Sequence, residues 1–173
     1  MKKFFLMIII SFACLLARSQ VPNVAEFISW NGLSLQSTQA QLKKDGFKYW
    51  QQEKYSEFKG KDVNLQLWRH FDKDSIETVF GFFLLDSKPI ILTYMSNNIS
   101  FFESRKAAIS KYSLKEYLKI NDKDNLQENY KNDSYALMIL GSIIENRKNV
   151  IYYTTNSDSG LMVLQAYLNR KQN

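Results

Sequence analysis

Histidine occurs once in this chain, at His70, so a histidine-paired metal site or a histidine triad must be built around that residue alone. It shares the Asn64, Gln66, Trp68 face of an alternating run and sits near the end of that run. Stacking on Trp68 accounts for it there without catalysis; the alternative is a general base. Asp72, Asp74 and Glu77 cluster at a hairpin tip, and close carboxylates can act as acid and base or hold calcium. Aspartates are also what turns select, because their side chains bond nearby backbone amides. Asn156-Ser157-Asp158-Ser159-Gly160 is rich in oxygen, but it lacks the spaced acids and closing Glu of an EF-hand and reads as a turn. No Gly-rich phosphate loop, Gly-x-Ser-x-Gly elbow or His-Glu-x-x-His occurs in the sequence. The expectation is therefore no catalytic constellation, no metal and no cofactor, with a small carboxylate-dependent hydrolase as the enzymatic alternative.

Aromatic content is the other chemical resource: 12 Phe, 10 Tyr and 3 Trp, more than one small core obviously needs. An antiparallel sheet often keeps one face free, so Trp50, Trp68 and His70 are the residues expected on a partner surface. Alternation sharpens this expectation. If Leu65, Leu67 and Phe71 point into the core, Trp68 and His70 point the other way.

Ahead of the elements that must position these residues stands a three-zone N-terminus. Lys2 and Lys3 precede an apolar run from Phe4 to Leu16, and Ala17-Arg18-Ser19 supplies a small-residue exit, the grammar of a secretory signal peptide. A helix over that run is about 20 Å long, short of the roughly 30 Å hydrocarbon core. Residues 1–19 are thus expected to be a cleaved signal, with the mature chain starting at Gln20. Lipidation at Cys14 is disfavoured because bulky Phe12 precedes it and apolar Leu15 and Leu16 follow. Cys14 is the sole cysteine, so the mature chain has no disulfide or thiolate ligand. Loss of Lys2, Lys3 and Arg18 also halves the formal net charge of +6. What remains is mixed in sign, which argues against nucleic acid as a partner. Residues 20–173 have the size of a single domain.

Within that domain Ser37 and Gly46 read as the cap residues of a helix from Thr38 to Lys44, with Leu42 and Phe47 closing the C-terminal end. Strands are expected over 47–55, 63–71, 76–85 and 90–94, with turns at Asp72–Ser75 and Asp86–Pro89. A second helix starts from a capping box at Ser100 and Glu103 and runs to about Tyr112. Residues 114–120 suggest a strand, and 121–133 a loop or a short helix over 126–130. Strands are expected again over 135–144 and 150–155, and over 161–168 a strand in preference to a helix. The fold class is α+β: antiparallel sheet with two short helices, each followed by three to four strands, as tandem pseudo-repeats over 27–95 and 96–169.

This order of elements, over roughly residues 27–168, resembles the β-lactamase inhibitory protein fold and the small envelope domains of outer-membrane assembly lipoproteins. The inhibitors carry disulfides and this chain, once mature, has no cysteine; no inhibitory loop maps onto it. The resemblance implies a periplasmic or secreted binding module of a bacterial cell envelope that engages another protein. A purely structural envelope component is the remaining alternative.

Overall fold

The computed structural model describes residues 23–71, 77–121, 125–144 and 147–171. The signal segment, Cys14, Asp72 and Asp74 lie outside them. Eight strands form one antiparallel sheet in the order β1-β2-β3-β4-β8-β7-β6-β5. They are β1 Lys48–Phe58, β2 Lys61–Phe71, β3 Glu77–Leu85, β4 Lys88–Ser96, β5 Lys115–Asn121, β6 Asn125–Lys131, β7 Ala136–Ile144 and β8 Arg147–Thr155. Two four-strand meanders meet at the β4–β8 seam, where Tyr94 stands opposite Tyr152. One face of the sheet is covered by α1 Val24–Ser29, α2 Leu35–Lys44, α3 Ile99–Glu103 and α4 Arg105–Lys111; α5 Asp158–Lys171 packs on the other, here called the far face. The α+β class with an antiparallel sheet is as the sequence implies. Among the described residues no helix is long and apolar enough to cross a membrane.

Hairpin chemistry sets the register of the first meander. Lys59 (φ 52°) and Gly60 (φ 74°) form the two-residue link between β1 and β2, and Asp86 (φ 50°) and Ser87 (φ 63°) the link between β3 and β4. Consecutive left-handed residues match the twist of the strands they join. Lys61 and Asp86 form an ion pair across these adjacent turns. At the centre, β3 and β4 are apolar on both faces, as strands covered on both sides must be. Phe80, Phe82, Leu92 and Tyr94 meet the helices, while Phe83 and Ile91 meet α5 residues Val163 and Leu164.

The C-terminal end of α2 is built as the sequence predicts. Gly46 takes φ 83°, its N–H donates to the Lys43 carbonyl (3.1 Å), and the Phe47 N–H donates to that of Leu42 (2.9 Å). This is the Schellman closure, with Leu42 and Phe47 both buried. Four expectations are corrected. Helix α2 starts one turn early, because Ser34 rather than Ser37 is the N-cap and accepts from the Ser37 N–H at 3.1 Å. The second helix is capped by Asn98, whose Oδ1 accepts from Ser100 and Phe101. It breaks at Ser104, whose hydroxyl bonds back to the Phe101 carbonyl and accepts the Val24 N–H at 2.9 Å. Residues 125–131 are strand β6. Residues 158–171 are helix α5 instead of a strand; Ser157 Oγ caps it by accepting the Gly160 N–H at 3.0 Å. A side chain at Gly160 would collide with the Ile90 carbonyl and the Thr155 hydroxyl, so glycine lets α5 lie against the sheet.

At the seam, Phe101 packs between the two tyrosines, with ring centroids 4.6 Å from Tyr94 and 4.8 Å from Tyr152. Burial pushes both phenols well above their ordinary range. Tyr152 Oη has no hydrogen-bond partner, and an unmet buried hydroxyl costs about 1–3 kcal/mol. Tyr152→Phe is therefore expected to raise stability by about 1 kcal/mol, measured by urea unfolding. A loss of that size would mean the hydroxyl is bonded after all.

Candidate functional site

Positions 63–71 alternate as the sequence requires, so Trp68 and His70 do point away from Leu65, Leu67 and Phe71. Inside and outside, however, are exchanged. Trp68 is 3% exposed in the helix-covered core, whereas Phe71 is 57% exposed on the far face. The reason is α2, which lies over Trp68. Lys43 sits 5.9 Å above its ring, and its Nε1–H donates to Gln66 Oε1 at 3.2 Å, an oxygen that also accepts from Gln39 of the helix at 2.7 Å. Trp68 on an open partner surface is thus corrected. His70 is wedged beside it, its ring 5.4 Å from that of Phe47 and about 3.2 Å from where a Cβ on Gly46 would stand. Among the described residues no group of three His, Cys, Asp or Glu side chains is placed to hold a metal. Asn156 and Ser157 have structural roles: Asn156 Nδ2 donates to the Asn31 carbonyl at 3.0 Å, and Ser157 caps α5.

Trp50 is where the expectation of an exposed aromatic is met. It is 41% exposed on the edge strand β1, beside a break in register. Tyr49 pairs with Trp68 and Gln51 with Leu67, leaving Trp50 as the extra residue of a β-bulge. Alternation from Tyr49, which packs on Trp68 on the helix side, places Trp50 on the far face, and the bulge leaves it without a direct partner on β2. There the Arg69 guanidinium lies 5.3 Å from the ring centroid of Trp50 and 5.3 Å from that of Phe71. Lys48 stands directly opposite Arg69 in the β1–β2 ladder. The second bulge of β1 leaves out Tyr55, which meets Phe83 of the far face edge-on at 4.8 Å. The result is a shallow platform of Trp50, Arg69, Phe71 and Lys48. A guanidinium stacked on rings still presents its N–H edge, the geometry that takes a carboxylate. Arg69 and Lys48 were missed by sequence reasoning. The available signal was a cation within the apolar series Val63, Leu65, Leu67, Phe71.

Glu128 on β6 is a different kind of site. It is 2% exposed, and its Oε2 accepts from Arg105 Nε and from the Tyr130 hydroxyl, both at 3.0 Å. Lys119 Nζ approaches Oε1 at 3.5 Å. Burial alone would raise this carboxyl. The hydrogen bond and charge of Arg105, with Tyr130 and Lys119, outweigh burial and hold it below the usual carboxylate range. Arg105 is itself stacked 3.7 Å above the Phe102 ring. A carboxylate locked in its charged form ties α4 to β6. It is not poised to donate a proton.

Among the described residues, a cleft of about 50 Å³ between the β6–β7 turn and the start of α5 has room for a water or two. No family model, curated protein or solved structure matches this chain.

Proposed function

We propose that this chain is exported from a bacterial cell by its N-terminal signal and works in the envelope or outside the cell as a binding module for another protein. The observation that carries the reading is the Trp50 platform. A large aromatic stands exposed at a bulge of an edge strand, flanked by two cations and exposed Phe71. Interface anchors have this composition, since Trp and Arg dominate hot spots. The hydrolase reading has less support, because the buried carboxylate Glu128 is committed to Arg105. The two meanders, each preceded by two short helices and mirrored about the β4–β8 seam, support a tandem repeat of one helix-plus-sheet unit. That organisation is what the resemblance to inhibitory and assembly domains implies.

The test is affinity capture from the native envelope with wild type and Trp50→Ala, alongside intact mass of the purified protein. The expected product starts at Gln20. Trp50→Ala is expected to weaken binding of the captured protein by about 2 kcal/mol, roughly thirtyfold, with an unchanged melting temperature. Retention of Met1 would overturn export, and unaltered partner affinity would overturn the platform.

A further inference from the structure

A second platform of the same design stands at the diagonally opposite corner of the far face. On the other edge strand, β5, Glu116 pairs with Tyr130 and Leu118 with Asn129, leaving Tyr117 as the extra residue of a bulge. Tyr117 is 46% exposed, and Lys131 lies 5.2 Å from its ring centroid. Lys115 stands directly opposite Lys131, just as Lys48 stands opposite Arg69. Each edge of the sheet thus has a lysine at the start of its outer strand, a bulged aromatic two residues on, and a cation of the next strand over that ring.

Like charges placed directly opposite each other destabilise a sheet. Elsewhere the structure avoids the problem: Lys54 meets Glu57 and Asp62, Lys61 meets Asp86, and Lys119 meets Glu116 and Glu128. Among the described residues, Lys48, Arg69, Lys115 and Lys131 have no such acid partner. These four cations, set in two opposed like-charged pairs, all lie on one face, two of them held over the rings of their own corners. They call for anionic groups from outside.

We infer that the two corners together hold one acidic, extended stretch of a partner polypeptide, an inference that rests on the proposed binding function and names its ligand chemistry. The geometry favours a chain over a flat surface. Arg69 is level with Val79, Met95, Ile151, Leu140 and Gln127 across the sheet, five strand spacings or about 24 Å. Lys131 lies four residues further along β6, so the corners are roughly 28 Å apart on the diagonal. Helix α5 stands on the same face, about 10 Å proud of it. A flat lipid surface resting on that helix does not reach both corners. An extended segment of about eight to ten residues does.

The mature protein is titrated with a labelled oligo-glutamate of about twelve residues and with one of half that length, at low salt. The longer peptide is expected to bind at least tenfold more tightly, because its second contact is intramolecular. Lys115→Ser with Lys131→Ser is expected to abolish that advantage, as is Arg69→Ser with Lys48→Ser. Removing Lys44 and Lys106 from the helix side, an equal loss of charge, should leave it intact. Equal loss in that control would reduce the effect to net charge and overturn the inference. Binding to vesicles of anionic lipid, but not to the peptides, would overturn it in favour of a membrane. If the Lys115 and Lys131 variant matches wild type while Arg69 and Trp50 variants lose the captured partner, the second corner fails and the binding function stands. If no variant at either corner affects the captured partner, both fail.

Discussion

Arg105→Met is expected to destabilise the fold by about 3–5 kcal/mol at neutral pH. The substitution keeps the length and much of the packing of the side chain against Phe102 but strips Glu128 of its closest charge partner. Lys119, about 45% exposed and 3.5 Å away, is a poor replacement. The penalty should depend on pH in a defined direction. In the wild type the Glu128 carboxyl is held below its unfolded value, so its contribution is fully present above the ordinary carboxylate range. It is lost as pH falls through the depressed value. In the variant, burial without Arg105 pushes the same carboxyl upward, and acid relieves the penalty by protonating it. Urea unfolding from pH 7 down to pH 4 should therefore show the two proteins converging. A gap that stays constant would mean that the loss comes from packing and not from a stranded charge. Replacing both partners, Arg105→Met with Glu128→Leu, should recover most of the stability, because apolar residues of similar volume often substitute for a buried pair without loss.

Trp68→Ala is expected to cost about 3–5 kcal/mol and to lower the melting temperature by roughly ten degrees. Its ring joins β2 to α2, with Tyr49 packed on it edge-on at 5.8 Å, and the gap left by truncation lies under a helix that cannot collapse to fill it. The indole N–H is also one of two donors to Gln66 Oε1, so the fastening of α2 loosens as well. Thermal unfolding beside Trp50→Ala makes the comparison: two tryptophans on adjacent strands, one whose loss lowers the melting temperature and one whose loss does not. An unchanged melting temperature for Trp68→Ala would sink its assignment to the core.

Local chemistry was legible in the sequence, and facing was not. The Leu42, Gly46, Phe47 closure and the β2–β3 hairpin follow from residues a few positions apart. Period-two alternation told that Trp68 and Leu67 part company, but the helices cover the more polar face of β2, where Gln66 bonds Gln39 of α2, and α5 helps cover the apolar one, an inversion nothing local reveals. Strand β6 was obscured for a related reason. Glu128 occupies the inward position between Leu126 and Tyr130, and a charge there hides the alternation until Arg105, far away in sequence, neutralises it. Leu161 to Leu168 fits a short strand or a helix equally well. The choice is made by the Ser157 cap and the bare approach at Gly160. The edge platforms were hidden because setting Lys48 against Arg69 and Lys115 against Lys131 is a property of two strands in register, invisible in either alone.

The β4–β8 seam also sets the order of events in folding. Every other strand pairing joins neighbours in the chain through a turn or short loop, whereas this one brings Leu92 to Thr154 and Ser96 to Val150. Short loops close early and at little entropic cost; the long one closes late. Each meander thus forms first with its innermost strand unpaired along one side, and β4 is apolar on both faces. Until the halves meet, these are the stickiest edges the chain displays. The slow, hazardous moment in the life of this protein is the joining of two half-built sheets.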